Sequence, residues 1–459
     1  MMRRLPLVTI TTLIALLGGS AIAQQSTPKP RPTPTKVRPV IVPMPSGGDC
    51  CLPPNVLPAT QALYDSYITQ NKMPGIVGAF GAGDFPTMFV SAGKIATDAN
   101  AAPAGPDSLW RVYSMTKPIT AMAAMILIEE GKMKLDEPVS DFLPAFKTMR
   151  VQLNENTVDS RPAVRPITIR NLLTHTAGLG YNIITKGPLL QLYMDKGLTP
   201  GQVNAAMEVD ARKTRPASLQ EFANRVATVP LIADPGTKWS YSIGLDLMGA
   251  VIEKASGMRF EEFVQQRIFD PLKMKSSYWS VPASEVGRLS TNYAFLPGDK
   301  LFALDPAATS AYLSSPSFPY GGAGLVMSAR DYDTFLHMLQ NYGELDGVRI
   351  MKPETAKLAM SNLLPAGVEF GGVAGATGGT AGPKMGFGAG GSVVLEDKAN
   401  SMGVGTYGWG GAAGTAAWVN PVKKIRGTIM VNYFPADKWP IRDETVKSLI
   451  SDMQRFKTK

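Results

Sequence analysis

The 459-residue chain is 44% apolar and 18% charged, a composition typical of an ordinary soluble globular protein with one large domain or two smaller ones. Its formal net charge of +9 includes two charges from Arg3 and Arg4 and a net three from residues 24–54, which leaves +4 on the rest of the chain. Because no basic cluster alternates with aromatic residues, the sequence argues against nucleic-acid binding.

The first 23 residues have the pattern of a secretory signal peptide. Arg3 and Arg4 give it a charged start, residues 5–17 are mostly apolar, and an A-x-A cleavage pattern falls at residues 21–23. A membrane anchor is the alternative, but this apolar stretch is too short to cross a bilayer, and no other stretch is long enough. The sequence therefore predicts an exported protein, periplasmic or secreted, with no membrane span once residues 1–23 are removed.

Residues 24–54 contain a proline at roughly every third or fourth position, which favours an extended flexible tether over a packed domain. The two cysteines of the chain, Cys50 and Cys51, are adjacent near the end of this tether. A disulfide to a second chain and a peripheral vicinal pair are both compatible with the sequence, so the oligomeric state stays open. Their position in a tether argues against a catalytic thiol.

Residues 55–459 form the predicted globular domain. Its N-terminal part predicts one amphipathic helix and two strands, and its C-terminal part predicts further strands and a last amphipathic helix. These elements are residues 59–72, 75–83 and 86–94 near the start, and residues 386–396, 415–421, 426–434 and 442–456 near the end. The pattern indicates an α/β (α+β) fold in which one sheet is built from both ends of the chain.

A largely helical insertion is predicted between these parts, at about residues 150–306. Thr168 is a candidate N-cap for a helix that Gly178 would end, and Ser218 starts a second helix with an S-x-x-E capping box. A third helix would end at Gly257. Long loops separate these helices.

The sequence YSMTKP at residues 113–118 places Ser114 and Lys117 at helical spacing. Proline is tolerated only in the first turn of a helix, so Pro118 places the helix start near Ser114, whose amide then lies at the positive helix end. The uncharged run 118–128 predicts a buried helix, in which Lys117 lies on the same face as Ser114. Burial favours the neutral amine of a lysine, which can then act as a base. The alternative is a solvated S-x-x-K, which occurs by chance in most chains of this length.

Tyr241 lies in the sequence PGTKWSYS, residues 235–242, just before a predicted helix. At this helix entry its phenol would face inward and exchange protons beside a cation, for which Lys117 is the obvious candidate. A tyrosine that only packs is the alternative, and the commoner one for an isolated residue.

A third stretch, YGWGGAAGTAAWV, starts at Tyr407. Gly408, Gly410 and Gly411 stand ahead of a predicted strand and would let its backbone approach a ligand closely. An edge strand there would offer an amide hydrogen as a second donor to an oxyanion. A glycine-rich turn without function is the alternative, and for this stretch alone it is the better interpretation.

The three stretches, in this order, resemble the serine β-lactamase-related hydrolases of the class C and penicillin-binding-protein type, and more closely the β-lactamase-like esterases. SMTK corresponds to the S-x-x-K motif, and Tyr241-Ser242-Ile243 stands at the Tyr-Ser/Ala-Asn motif. Further stretches match at residues 172–179, 251–257 and 321–331. The resemblance extends from Ala59 to Lys457 and implies a β-lactamase/D,D-peptidase-like fold, with an antiparallel sheet, flanking helices and a helical inserted domain.

This resemblance implies an acyl-enzyme mechanism. Ser114 would attack an ester carbonyl, Lys117 and Tyr241 would share the base and acid roles, and water would release the acyl group. The division of these roles is undecided, because the two groups would titrate as a coupled pair. The amide hydrogens of Ser114 and Ala412 would bind the oxyanion. The substrate-binding residues implied are Ser242, Trp409, Gly410 and Gly411.

Two departures from the family pattern concern the substrate. Trp409-Gly410-Gly411 stands where β-lactamases have Lys/His-Thr/Ser-Gly, whose cation binds the β-lactam carboxylate, and this pattern is similar to that of the esterases. Ile243 replaces an asparagine whose amide would contact an acylamino side chain. Both departures favour neutral, more apolar substrates, so we expect a small-molecule ester.

A Ser-His-Asp triad is the weaker mechanism, because the chain has two histidines and SMTK lacks the G-x-S-x-G pattern. His175 lies at the end of a predicted helix and is interpreted as structural, and His337 has no evident acidic partner. No His and Cys residues stand at metal-ligand spacing, so neither a metal nor another cofactor is predicted.

Three other functions remain as alternatives. A β-lactamase or D,D-peptidase and an acyltransferase would use the same residues. A catalytically silent cell-wall-binding protein, spaced from the membrane by the tether, is the alternative outside enzymes, and the intact Ser114, Lys117 and Tyr241 argue against it. The sequence leaves the natural substrate open.

Overall fold

The structure, a computed structural model, describes residues 56–372, 383–398 and 401–457. The predicted signal peptide, the predicted tether and both cysteines lie outside the described residues and stay predictions. Residues Leu57–Lys459 belong to one compact unit. Among the described helices, none is long and apolar enough to cross a lipid bilayer.

The helices and strands of the described residues are named here in chain order. The helices are α1 Pro58–Thr69, α2 Thr116–Glu129, α3 Ile169–Leu173, α4 Gly187–Asp195, α5 Ala205–Ala211, α6 Leu219–Val226, α7 Gly244–Ser256, α8 Phe260–Val264, α9 Ala329–Gln340, α10 Pro353–Ala359 and α11 Ile441–Lys457. The strands are β1 Gly75–Ala82, β2 Met88–Gly93, β3 Leu109–Arg111, β4 Arg150–Gln152, β5 Ser160–Pro162, β6 Ser277–Tyr278, β7 Asn292–Leu296, β8 Lys300–Asp305, β9 Val326–Ser328, β10 Glu344–Leu345, β11 Val348–Arg349, β12 Met385–Phe387, β13 Ser392–Val394, β14 Tyr407–Gly410, β15 Ala416–Asn420, β16 Ile425–Met430 and β17 Tyr433–Phe434.

Within the described residues, seven antiparallel strands form the main sheet, in the order β12, β13, β14, β15, β16, β1 and β2. The two ends of the chain meet at the pair β1–β16, in which Val77 lies opposite Met430. The predicted sheet built from both ends of the chain is therefore confirmed.

This sheet is covered on both faces, which explains why β1 is buried along nearly its whole length. Ile76 and Phe80 belong to a core that includes residues of α1 and α11. Val77 and Ala79, which point to the opposite face, belong to the larger core that includes residues of α2 and α9.

The central helix α2 runs through the larger core. Its residues Thr116–Leu127 are all buried, and it packs against α7. Pro118 is the third residue of the helix, within the first turn, where its missing N–H leaves no helical bond unmade. The buried helix predicted after Ser114 is confirmed, although Ser114 itself lies in a 3₁₀ turn, Tyr113–Met115, that precedes α2.

A small sheet of β3, β9 and β6 brings a second segment close to this turn. β3 leads into the turn, and β9 follows residues 321–325. The Val112 N–H donates to the Leu325 carbonyl at 3.1 Å, and the Leu325 N–H donates to Thr116 Oγ1 at 3.1 Å. These bonds fix residues 321–325 against the start of α2.

The predicted insertion at residues 150–306 contains α3 to α8, as expected, but also β4 to β8. β7 and β8 form a hairpin, and β7 also pairs in parallel with β17 near the end of the chain. The largely helical interpretation of this segment was therefore incomplete, because β7 depends on a partner strand that is distant in sequence.

The helix α3 begins as predicted and ends early. Thr168 Oγ1 accepts the Asn171 N–H, and the Asn171 side chain accepts the Thr168 N–H in return. The helix ends at Leu173 and not near Gly178, because His175 has a φ of 56° and leaves the helical conformation.

The structure also describes the predicted start of α6 at Ser218 and the predicted end of α7 at Gly257. Ser218 Oγ accepts the Glu221 N–H, but the Glu221 carboxylate accepts the Ala217 N–H and not that of Ser218. Only half of the predicted capping box therefore forms. Gly257 ends α7 with a φ of 73°, as predicted.

Candidate active site

Ser114 lies between β3 and α2, and the residue before it has an unfavourable backbone conformation. Tyr113 has a φ of 43°, in the left-handed region that side chains other than glycine rarely adopt. Asn292 donates a hydrogen bond to its phenol oxygen at 3.0 Å, and its ring packs edge-on against Tyr312 and Phe434. These buried contacts hold Tyr113 in place and thereby fix the backbone that carries Ser114.

The Ser114 hydroxyl oxygen accepts two hydrogen bonds. The Tyr241 hydroxyl donates at 2.7 Å, and Lys117 Nζ donates at 3.2 Å. Lys117 Nζ also donates to the Gly322 carbonyl at 2.8 Å, which fixes the amine. The structure thus brings together the three residues that the sequence predicts to carry the chemistry, although Tyr241 lies 127 positions after Ser114.

Lys117 is fully buried between polar oxygen atoms and aromatic rings. Its Nζ lies 4.6 Å from the ring centroid of Tyr241 and 5.4 Å from that of Tyr181. Such cation–π contacts replace part of the hydration that a buried amine loses. The predicted proximity of Lys117 and Tyr241 is therefore found.

A buried carboxyl group stands behind Lys117. Asp246, in the first turn of α7, is fully buried, and its Oδ1 accepts the Gly322 N–H at 2.8 Å. Gly322 therefore links Lys117 to Asp246, because its carbonyl accepts from the amine and its N–H donates to the carboxyl group. Burial raises the pKa of Asp246 to about 6, although the charge of Lys117 opposes this rise. The sequence reasoning missed Asp246, for which the available signal was an acidic residue inside an otherwise apolar helix start.

Trp409 contacts Tyr241 directly. Its Nε1 donates to the Tyr241 hydroxyl oxygen at 3.3 Å, and the two rings lie 5.6 Å apart. Trp409 is only 4% exposed, so most of its indole contacts protein, and its N–H is directed to Tyr241. A donor at this oxygen stabilises the negative charge that develops when the phenol gives up its proton.

The predicted second oxyanion donor, Ala412, lies in a turn just beyond β14. The predicted strand that follows the glycines at residues 408–411 is β15, which lies between β14 and β16 in the sheet, so the expectation of an edge strand was wrong. Ala412 is exposed, and its amide hydrogen has no acceptor among the described residues. A Cβ on the neighbouring Gly411 would lie 2.5 Å from the Val112 carbonyl oxygen, which shows how closely this turn approaches the segment before Ser114.

Three of the predicted substrate-binding residues are closely surrounded by other protein atoms. Gly411 admits the Val112 carbonyl, and a Cβ on Gly410 would lie 2.5 Å from the Arg442 guanidinium, so packing leaves no room for a side chain at either position. Ser242 is only 1% exposed, with its Oγ bonded to a histidine. Close packing within the protein accounts for the small residues Gly410, Gly411 and Ser242, and their role in substrate binding stays a prediction.

The histidines take no part in the hydrogen bonds of Ser114. His175 is fully buried, and its Nδ1 accepts the Ser242 N–H at 3.2 Å. Burial, with a contribution from the charge of Lys117, lowers the pKa of His175 well below its ordinary value. Burial also lowers the pKa of His337, which lies on α9. The described residues contain no group of three or more His, Cys, Asp or Glu side chains arranged to hold a metal ion.

Aromatic side chains surround Tyr241 and Trp409. The ring centroids of Trp239 and Phe370 are 4.7 Å apart, and those of Phe387 and Trp409 are 5.2 Å apart. Phe370 is partly exposed, and the others are buried. The reacting groups therefore have an apolar environment, which the sequence reasoning missed because Trp239, Phe370 and Phe387 belong to three separate segments.

A serine that accepts hydrogen bonds from a lysine and a tyrosine, in a domain whose sheet is built from both ends of the chain, is the arrangement of a serine hydrolase of the β-lactamase fold. The sequence model of the Beta-lactamase family matches residues 60–449, and the chain therefore belongs to this family.

Two curated relatives are esterases. Esterase EstB of Burkholderia gladioli is 29% identical over 390 residues, which cover 81% of this chain and 89% of that protein. Lovastatin esterase of Penicillium rubens is 30% identical over 328 residues, which cover 68% of this chain and 76% of that protein. Among solved structures, EstCE1, described as a hydrolase with promiscuous acyltransferase activity, has the same fold, with a TM-score of 0.68, 24% identity and coverage of 86% of this chain and 98% of that one.

Proposed function

We propose that the protein is an exported carboxylesterase that cleaves esters of short or apolar acyl groups through an acyl-enzyme on Ser114. The observation that carries this proposal is the pair of hydrogen bonds from Tyr241 and Lys117 to the Ser114 oxygen. The esterase relatives support the reaction type. Export rests on the signal-like residues 1–23 alone.

Acylation begins when Ser114 Oγ attacks the ester carbonyl carbon. The hydroxyl proton passes to the Lys117–Tyr241 pair, whose members both lie within hydrogen-bonding distance of this oxygen. The N–H groups of Ser114 and Ala412 bind the oxyanion that forms on the carbonyl oxygen. When this intermediate collapses, the bond to the alcohol oxygen breaks, and the pair returns the proton to that oxygen.

Deacylation repeats these steps with water as the nucleophile. The same pair takes the proton of the water as its oxygen attacks the acyl carbonyl, and Ser114 leaves with that proton. Lys117 and Tyr241 act as one coupled unit, since both contact Ser114 and the amine lies over the phenol ring. An alcohol in place of water would make the same acyl-enzyme an acyltransferase.

The preference for neutral esters rests on Trp409. The indole N–H is directed to Tyr241 and supplies no cation to a substrate carboxylate. A charge-assisted hydrogen bond contributes about 1.5–3 kcal/mol, so its absence should weaken carboxylated substrates such as β-lactams roughly ten- to hundredfold. The surrounding rings of Trp239, Phe370 and Phe387 favour apolar groups.

The test compares kcat/KM for p-nitrophenyl butyrate and nitrocefin in the wild type and in Trp409→Lys. We expect the wild type to favour the ester by at least about a hundredfold, and the variant to narrow this ratio. Trp409→Phe is the matched control, because it keeps an apolar ring and adds no charge. Nitrocefin turnover as fast as ester turnover in the wild type would show that the protein is a β-lactamase.

Product analysis with an added short alcohol separates hydrolysis from acyl transfer. The proposal expects butyric acid as the main product at low alcohol concentration. Butyrate ester of the added alcohol as the main product under these conditions would identify an acyltransferase.

A further inference from the structure

His175 contacts the two neighbours of Tyr241 and its ring. The His175 carbonyl accepts the Ser240 N–H at 2.9 Å, and His175 Nδ1 accepts the Ser242 N–H at 3.2 Å. The ring centroids of His175 and Tyr241 lie 4.8 Å apart in an edge-to-face arrangement. One residue therefore holds the backbone on both sides of Tyr241 and the ring between them.

His175 Nδ1 has two contacts with Ser242, the N–H at 3.2 Å and Oγ at 2.9 Å. A backbone N–H can only donate, whereas the hydroxyl can donate or accept, so one tautomer satisfies both contacts: Nδ1 presents its lone pair and the neutral ring carries its proton on Nε2. Nε2 is buried and has no hydrogen-bond partner among the described residues. Burial and the charge of Lys117 lower the pKa of His175 well below its ordinary value, so the ring stays neutral and Nδ1 stays an acceptor in the physiological pH range.

The backbone of His175 is adapted to the same contact. Its φ of 56° lies in the left-handed region, where glycine and asparagine are more usual. This conformation ends α3 and directs the carbonyl group to Ser240. Asparagine would accept the same backbone geometry more readily, so the choice of histidine is explained by its ring as well as by its acceptor atom.

We propose that His175 is a positioning residue that sets the orientation of the Tyr241 phenol toward Ser114. The hydroxyl group lies at the far end of the tyrosine side chain, so a small rotation of residues 240–242 displaces it from Ser114. Proton transfer requires hydrogen-bond distance, and a displacement of about 1 Å costs roughly a hundredfold in rate. His175 acts on the reaction through Tyr241 and does not itself exchange protons. This inference rests on the proposed role of Tyr241.

Two substitutions separate the ring contact from the acceptor. His175→Asn keeps an acceptor atom near the position of Nδ1 and suits the left-handed backbone, but loses the ring. His175→Phe keeps a ring beside Tyr241 and loses the acceptor. We expect His175→Phe to lower kcat for p-nitrophenyl butyrate by about 10- to 100-fold with KM changed less than about threefold, and His175→Asn to retain more activity.

A double-mutant cycle decides whether the effect passes through Tyr241. In a Tyr241→Phe background no hydroxyl is left to position, so His175→Phe should change the remaining rate by less than about threefold. The same fold-loss in both backgrounds would show that His175 acts independently, and the inference would be wrong. Full activity of the Tyr241→Phe enzyme would instead overturn the proposed role of Tyr241. The two failures are distinguishable, because this one is seen in the Tyr241→Phe single variant.

Controls test for a folding defect in the variants and for titration of His175 itself. His337→Phe, at the other histidine, should leave kcat unchanged. If His175→Phe does not fold, the cycle is run with His175→Asn, for which we expect about a tenfold loss that disappears in Tyr241→Phe. The apparent pKa values in the pH profile of kcat/KM should be the same in His175→Asn and the wild type, because His175 stays neutral. A change in one of these apparent pKa values in His175→Asn would identify His175 as a proton carrier and contradict a positioning role.

Discussion

Asp246 shows how a single buried residue links the site to stability. It is fully buried in the first turn of α7, accepts one hydrogen bond from Gly322, and leaves its Oδ2 without a partner among the described residues. Burial raises its pKa to about 6, against about 3.9 for aspartate in an unfolded chain. At pH values between these two pKa values, Asp246 is therefore more often protonated in the native state than in the unfolded state.

This difference predicts how stability depends on pH. Where the native state binds more protons, the free energy of unfolding falls as pH rises, so the contribution of Asp246 decreases between about pH 4 and pH 6 and stays low above that range. From pH 4.5 to pH 7.5 the loss should be about 2 kcal/mol, at about 1.4 kcal/mol per pKa unit. Asp246→Asn keeps an acceptor for the Gly322 N–H and cannot titrate.

Urea unfolding of wild type and Asp246→Asn at pH 4.5 and pH 7.5 measures this contribution, because all other titrating groups are shared. We expect the free energy of unfolding of the wild type to fall by about 2 kcal/mol relative to that of the variant between pH 4.5 and pH 7.5. The same pH dependence in both proteins would show that the carboxyl group titrates at the same pH in the folded and unfolded states.

The residues predicted from the sequence and those missed differ in a physical way. Ser114 and Lys117 were predictable because one helical turn places them together, and Tyr241 because it precedes a helix in a recognisable motif. Asp246 was missed because its partner Gly322 lies 76 positions away, and the bond from Trp409 to Tyr241 joins residues 168 positions apart. Local patterns indicate a residue's element, whereas these contacts depend on how elements pack.

At the scale of elements, the first turn of α11 supports the turn after β14. Arg442 Nη2 donates to the Thr415 carbonyl at 2.7 Å and to the Gly411 carbonyl at 3.4 Å. Burial lowers the pKa of Arg442. The two carbonyls flank Ala412, whose N–H is the proposed second oxyanion donor, so the guanidinium fixes the backbone on both sides of it.

This arrangement predicts a catalytic defect from a substitution outside the site. Arg442→Leu should lower kcat for p-nitrophenyl butyrate by about tenfold or more, since complete loss of one oxyanion donor costs about 10²–10³. Arg442→Lys keeps the positive charge and N–H donors on a single nitrogen, so it should lose less activity. The control is Arg455→Leu at an exposed position of the same helix, for which we expect no change. Unchanged kcat in a folded Arg442→Leu protein would contradict a supporting role for Arg442.

The elements themselves were predicted unevenly. The strand β1 is marked by continuous apolar sequence, and α2 by an uncharged run, so the sequence identifies both directly. The position of β14 inside the sheet and the parallel pairing of β7 with β17 were not predictable, because a strand's neighbours are set by pairing across the whole chain and not by its own composition.

At the scale of the whole molecule, the site depends on the complete sheet domain. Its groups come from the turn after β3, the loop before α7, residues 321–325 and the turn after β14, and the two ends of the chain join at β1 and β16. The family match over residues 60–449 covers all of these segments. The reaction therefore requires the intact domain.

The most direct test of the central claim is the intact mass of the protein after rapid mixing with p-nitrophenyl butyrate and acid quenching, followed by peptide mapping. We predict that the wild type gains one butyryl group on the peptide that contains Ser114. Ser114→Ala should gain none and should lose about three or more orders of magnitude in kcat. A butyryl group on any other residue, or a Ser114→Ala protein that retains most of its esterase activity, would contradict an acyl-enzyme on Ser114.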